Sequence, residues 1–126
     1  MSRQSFTPEN APAPAGPYSH AVRIGPFVHT AGQVGVEPAT RQARVGVEAQ
    51  TRQALENVRA ALESAGASMG DVLRVGVYLT RAEDFAAMNA VYREFFSEPY
   101  PARSTVYVGL NPGLLVEIDA LAVLTP

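Results

Sequence analysis

The 126-residue chain contains no cysteine, no tryptophan and no lysine; its ten basic residues are all arginine. Without cysteine there is no disulfide framework, no thiolate nucleophile and no thiolate zinc site. Without lysine there is no protein Schiff base and no P-loop lysine. Two histidines remain, His20 and His29, with no third to join them and neither an HExxH nor a GxSxG motif. They read as turn or sheet-surface residues, and no metal site is expected. Long apolar runs are missing too, so no segment has the ~20 residues that cross a bilayer. The N-terminal MSRQSFTPENAPAPAGPY has no apolar stretch of the secretory kind, which makes the cytoplasm the expected compartment and a membrane an unexpected partner. A net charge of -2 with no block of like charge argues against nucleic acid.

What is there is a globular composition, 47% hydrophobic and 17% charged. A chain of this length is one ordinary domain, and roughly two-thirds of its unfolded surface is buried on folding. Pro8, Pro12, Pro14 and Pro17 make residues 1–17 an extended arm, with a short strand near residue 5 as the one candidate element. Segments 20–24 and 27–31 read as a hairpin turning at Gly25-Pro26, and 32–46 as a long loop. Thr51, Ala54, Leu55, Val58, Ala61, Leu62 and Ala65 recur at helical spacing over 47–66, with Gly66 as the cap. Arg52-Glu56 and Arg59-Glu63 are spaced to pair along that helix.

Residues 72–80 alternate, with Leu73, Val75, Val77 and Leu79 on one face. Thr80 and Glu83 fit a capping box that opens a second helix running to about Ser97. Strands at 103–108 and 114–124 flank the turn signal Asn111-Pro112-Gly113. The order predicts an α+β fold, two helices packed on one face of a mixed six-stranded sheet. The other face would carry Tyr78, Tyr107, Leu115, Leu121 and Val123, too much apolar surface to leave to water, so self-association with cyclic symmetry is expected.

Most charges lie on polar helix faces. Arg103, after Pro101-Ala102 at a strand start, and Glu117, inside the apolar run 114–123, do not. A charge within such a strand needs a partner or a task. Parity puts Glu117 with Asp119 and Leu121, and Arg103 with Thr105 and Tyr107. An arginine fork and a carboxylate on the uncovered face would make a pocket for a small anion, the fork holding a carboxylate and the glutamate orienting a water. A plain Arg103–Glu117 salt bridge across an interface accounts for the same spacing.

Pro101-Ala102-Arg103-Ser104 together with Val116-Glu117-Ile118-Asp119-Ala120 resembles the Rid (YjgF-type) family of reactive-intermediate deaminases. The likeness continues through Gly16-Pro17-Tyr18-Ser19, Ala31-Gly32-Gln33, residues 53–57, residues 84–89, Tyr92 and Phe95-Phe96, and so covers 1–126 as a single Rid-type domain. It implies a chorismate-mutase-like homotrimer around a central barrel, with ligand clefts between subunits. It also implies hydrolysis of 2-imino or 2-enamino acids to 2-oxo acids and ammonia, with no cofactor and no metal. Carried over by residue, Arg103 clamps the substrate carboxylate and Glu117 positions the water. Tyr18, Gly32, Asn89 and Thr105 line the substrate site, Gly32 by letting the ligand come close. Ala31 stands where the family pattern has serine, and Thr105 where it often has cysteine. Ala31 favours the alternative of a non-catalytic trimeric binder of small carboxylates. A ribonuclease role, attached to some relatives, lacks the basic patch it would need here.

Overall fold

The computed structural model describes residues 2–126. Its elements are β1 (Gln4–Phe6), β2 (Ala21–Ile24), β3 (Phe27–Thr30), β4 (Gln33–Val34), α1 (Val47–Ser64), β5 (Val72–Leu79), α2 (Phe85–Tyr92), β6 (Ala102–Tyr107) and β7 (Val116–Val123). They form a seven-stranded sheet ordered β1-β2-β3-β7-β5-β6, with β4 pairing to β7 off this path. Only β5 and β6 run parallel; the other pairs are antiparallel. Two helices on a mixed sheet is the predicted fold class, but with seven strands rather than six. The extra strand, β4, lies in the segment read as loop. Two residues are too few to show a period, and β4 exists because β7 offers it an edge.

α1 forms as its periodicity requires. Its stripe of Thr51, Ala54, Leu55, Val58, Ala61 and Leu62 is fully buried against the sheet. Gly66, at φ 89°, ends it with two backbone hydrogen bonds: the Gly66 N–H donates to the Glu63 carbonyl and the Ala67 N–H to the Leu62 carbonyl. Glycine takes this left-handed conformation without steric cost. The core lies between the helices and the inward face of the strands, where Val75, Val77, Leu79, Val116, Ile118, Ala120 and Ala122 are buried.

Several local expectations fail for identifiable reasons. A β-bulge between Val72 and Arg74 inserts one residue. It turns Leu73 out to 59% exposure, while Val72 packs on the core. The Thr80/Glu83 capping box does not form; Arg81 instead grips Asp84 with two bonds of 2.9 and 2.8 Å. A capping box closes at Ser68/Asp71, ahead of β5. α2 stops at Tyr92 rather than near Ser97, giving way to turns at Glu94 and Phe95. The spaced pairs along α1 are replaced by contacts between elements. Arg52 bridges bidentately to Glu94, and the Arg59 guanidinium lies 4.9 Å from the Phe95 ring centre.

One buried glutamine holds the chain around α1. Gln50 accepts the Leu115 N–H at 2.8 Å and donates to the carbonyls of Arg44 and Gly113. Asn57 donates to the carbonyls of Val34 and Val36 at 3.0 Å. These bonds seat the 32–46 segment, and with it Gly32, against β7.

Candidate functional site

The sheet register decides where the candidate residues go. In the parallel pair, Val75, Val77 and Leu79 stand opposite Arg103, Thr105 and Tyr107. Since those three β5 residues are core residues, Arg103, Thr105 and Tyr107 belong to the helix-bearing face. In the antiparallel pair, Tyr78 stands opposite Glu117 and Gly76 opposite Asp119. Glu117 therefore lies on the uncovered face. The expectation that Arg103 and Glu117 share the uncovered face is wrong, and so is the placement of Tyr107 there. Within a strand, parity is legible from sequence; the relation between β6 and β7 passes through β5 and is not.

The helix-side half is built on the end of α2 and the start of β6. The Arg103 guanidinium lies 4.7 Å from the centre of the Tyr92 ring and 5.7 Å from that of Phe85. Stacking of this kind orients a guanidinium and leaves its N–H fork free. A cavity of about 250 Å³ opens there, lined by Asn89, Tyr92, Arg93, Tyr100, Pro101 and Arg103. Asn89 and Arg103 are thus brought together, with Thr105 two residues along the same face of β6, outside the lining. The Tyr92 hydroxyl is buried without a hydrogen-bond partner. Burial pushes its pKa up, so it stays a neutral phenol at physiological pH.

The other half is built on β7, β5 and the turn after β3. Gly32 stands directly against Glu117: a Cβ there would lie 2.6 Å from Oε2 and 2.7 Å from Cδ. The missing side chain makes room for the glutamate. Burial raises the pKa of Glu117, and the neighbouring Asp119 charge raises it further. Tyr18, half exposed, lines a larger cavity of about 580 Å³ with His20, Gly32 and the 33–41 segment. Glu117 does not line it.

His20 Nε2–H donates to the Pro12 carbonyl at 2.8 Å and ties the arm down. His29 bonds the Thr30 carbonyl. Among the described residues no group of three His, Asp or Glu side chains could hold a metal ion. No helix among them is long and apolar enough to cross a membrane.

Sequence reasoning named Tyr92, Tyr78 and Asp119 without seeing how they meet: Tyr92 lies under Arg103, and Tyr78 and Asp119 pair over Gly76. Asp119 carried the same signal as Glu117, an ionisable side chain in an apolar strand, and Gly76 another, since a glycine inside such a strand marks a close approach.

Two helices on one face of a mixed seven-stranded sheet place the chain in the class of two-layer α+β sandwiches, here with a stacked arginine at one sheet edge and a half-buried glutamate on the opposite face. The family model described as Endoribonuclease L-PSP matches residues 8–124. A RutC family protein of Pyrococcus horikoshii is 50% identical over 124 residues, covering 97% of this chain and 98% of its own. The 2-iminobutanoate/2-iminopropanoate deaminase of Salmonella typhimurium is 44% identical over 127 residues, covering 98% of each. The crystal structure of Escherichia coli TdcF with bound serine superposes with a TM-score of 0.91 at 40% identity, covering 97% of this chain and 99% of that one. The chain belongs to the Rid (YjgF/RutC) family.

Proposed function

We propose that the protein is a homotrimeric hydrolase that deaminates 2-imino and 2-enamino acids to 2-oxo acids and ammonia, at sites assembled between copies around a central barrel. The observation that carries this is the division of the candidate residues: Arg103 with Asn89 on one face of the sheet, Glu117 with Gly32 on the other. A single chain cannot bring them onto one ligand. A cyclic assembly that buries the uncovered sheet face can. That face exposes Ile24 and Phe27 at 41% and 54% and Val106 at 43%. The named activity of the Salmonella relative and the amino acid bound to TdcF agree with a small carboxylate as ligand.

The chemistry asks little of the protein. Arg103 holds the substrate carboxylate through its fork. Glu117 takes a proton from water as the water oxygen bonds to the electrophilic C2 of the iminium. Glu117 returns that proton to the nitrogen of the resulting carbinolamine; as ammonia leaves, the remaining hydroxyl proton passes by way of Glu117 to the ammonia, leaving a C2 carbonyl. Iminium and water thus become 2-oxo acid and ammonium, with no change of oxidation state. Positioning and exclusion of bulk water supply the acceleration.

The deciding experiment generates imino acids with an amino-acid oxidase and follows 2-oxo acid release across a substrate panel, alongside sedimentation of the protein. Faster release and a three-copy mass support the proposal. Bound 2-oxo acid without acceleration selects the alternative of a carboxylate binder, which Ala31 favours because it supplies no hydroxyl.

Gly32→Ala is expected to lower kcat on the order of 10- to 100-fold by pushing the Glu117 carboxylate from its seat. The assay just described checks it, and unchanged turnover would remove Gly32 from the site.

A further inference from the structure

We propose that Asp119 is a positioning residue that acts on Glu117 through its charge, and that the Tyr78 hydroxyl and the bare backbone of Gly76 seat it for that task. The catalytic meaning of this pairing rests on the deaminase reading; the pairing itself does not.

Register places Glu117 and Asp119 on the same face of β7, opposite Tyr78 and Gly76 of β5. The Tyr78 hydroxyl donates to Asp119 Oδ2 at 2.8 Å. A Cβ on Gly76 would lie 2.5 Å from Asp119 Oδ1 and 2.9 Å from the Tyr78 hydroxyl oxygen, so any other residue would evict the pair. Asp119 Oδ1 is buried without a hydrogen-bond partner. A carboxylate seated this way, one oxygen satisfied and one not, is costly unless its charge serves a purpose. The bond to Asp119 is the main cause, with burial second, of the raised pKa of Tyr78, which therefore stays a donor.

Glu117 has Asp119 as its near like-charged neighbour, and repulsion between the two favours the protonated glutamate. The other groups on this face are Tyr78 and Arg74 from β5 and His29 from β3. β6 presents only Ala102, Ser104 and Val106, and residues 32–34 carry no charge. In the proposed cleft, Arg103 of an adjoining copy pulls the opposite way. Asp119 thus offsets the arginine and keeps Glu117 basic enough to take a proton from water.

The test uses Asp119→Asn, nearly isosteric, and Tyr78→Phe, which frees Asp119 to swing away and keeps the proposal testable should the first variant not fold. Removing the repulsion is expected to move the acid limb of kcat/KM to lower pH by roughly half a unit or more, with Tyr78→Phe moving it the same way. Carbon NMR titration of the Glu117 carboxyl in the intact protein should shift in parallel. If wild-type protein turns over imino acids and neither limb nor titration moves in a folded variant, Asp119 has no such role. If wild-type protein shows no turnover but the titration moves, the pairing stands and the deaminase reading falls.

Discussion

Arg103→Ala is expected to cut kcat/KM for imino-acid hydrolysis on the order of 10³-fold, because a charge-assisted, two-point hold on the substrate carboxylate disappears. The fold should survive. The ion pairs among the described residues are Arg52–Glu94 and Arg81–Asp84, so Arg103 leaves no partner charge stranded. What is lost structurally is the stacking on Tyr92 and Phe85, about 0.5–2 kcal/mol. Arg103→Lys should recover little, since an ammonium neither stacks flat on Tyr92 nor forks. Rates of 2-oxo acid release beside thermal melts check this, and a folded Arg103→Ala protein with full activity would refute the clamp.

Glu117→Gln should lower kcat on the order of 10²- to 10³-fold by removing the proton acceptor, while affinity for a stable 2-oxo acid changes little. Equal loss of binding would count against a water-handling role. Stability should move the other way. A carboxyl whose pKa is raised on folding opposes the fold when ionised, and that penalty fades as pH falls through its folded pKa. At neutral pH the glutamine variant should therefore melt no lower than wild type, and any advantage should vanish in acid. The two inactive variants also test each other. When Arg103→Ala and Glu117→Gln chains are co-assembled in equal amounts, about a quarter of sites between copies pair an intact arginine with an intact glutamate. Return of roughly that fraction of activity locates the site between copies; no return places it within one.

Much of the fold was legible. The α1 stripe, its Gly66 cap, the hairpin at Gly25-Pro26 and the strand pattern of 116–123 all follow from local periodicity and turn chemistry, and all are present. Features that failed depended on partners distant in sequence. The Thr80/Glu83 box lost to an Arg81–Asp84 bridge. The helical pairs of α1 lost to Glu94 and Phe95 on the segment after α2. Leu73 left its face because a bulge, invisible in alternation, shifted the register.

The candidate site divides in the same way. Arg103 and Glu117 stood out by sequence because neither belongs to a solvated helix face, and an ionisable side chain in an apolar strand is expensive enough to be noticed. Gly32 and Gly76 were visible as glycines but not as the spaces that Glu117 and Asp119 fill. The amino-acid sequence by itself determined α1, its Gly66 cap, the turn at Gly25-Pro26 and the alternation of β7, because these rest on contacts a few residues apart. Only the tertiary structure decided that the arginine and the glutamate face opposite ways. That relation is set by the β6–β5–β7 register, and register depends on which strands meet across the sheet.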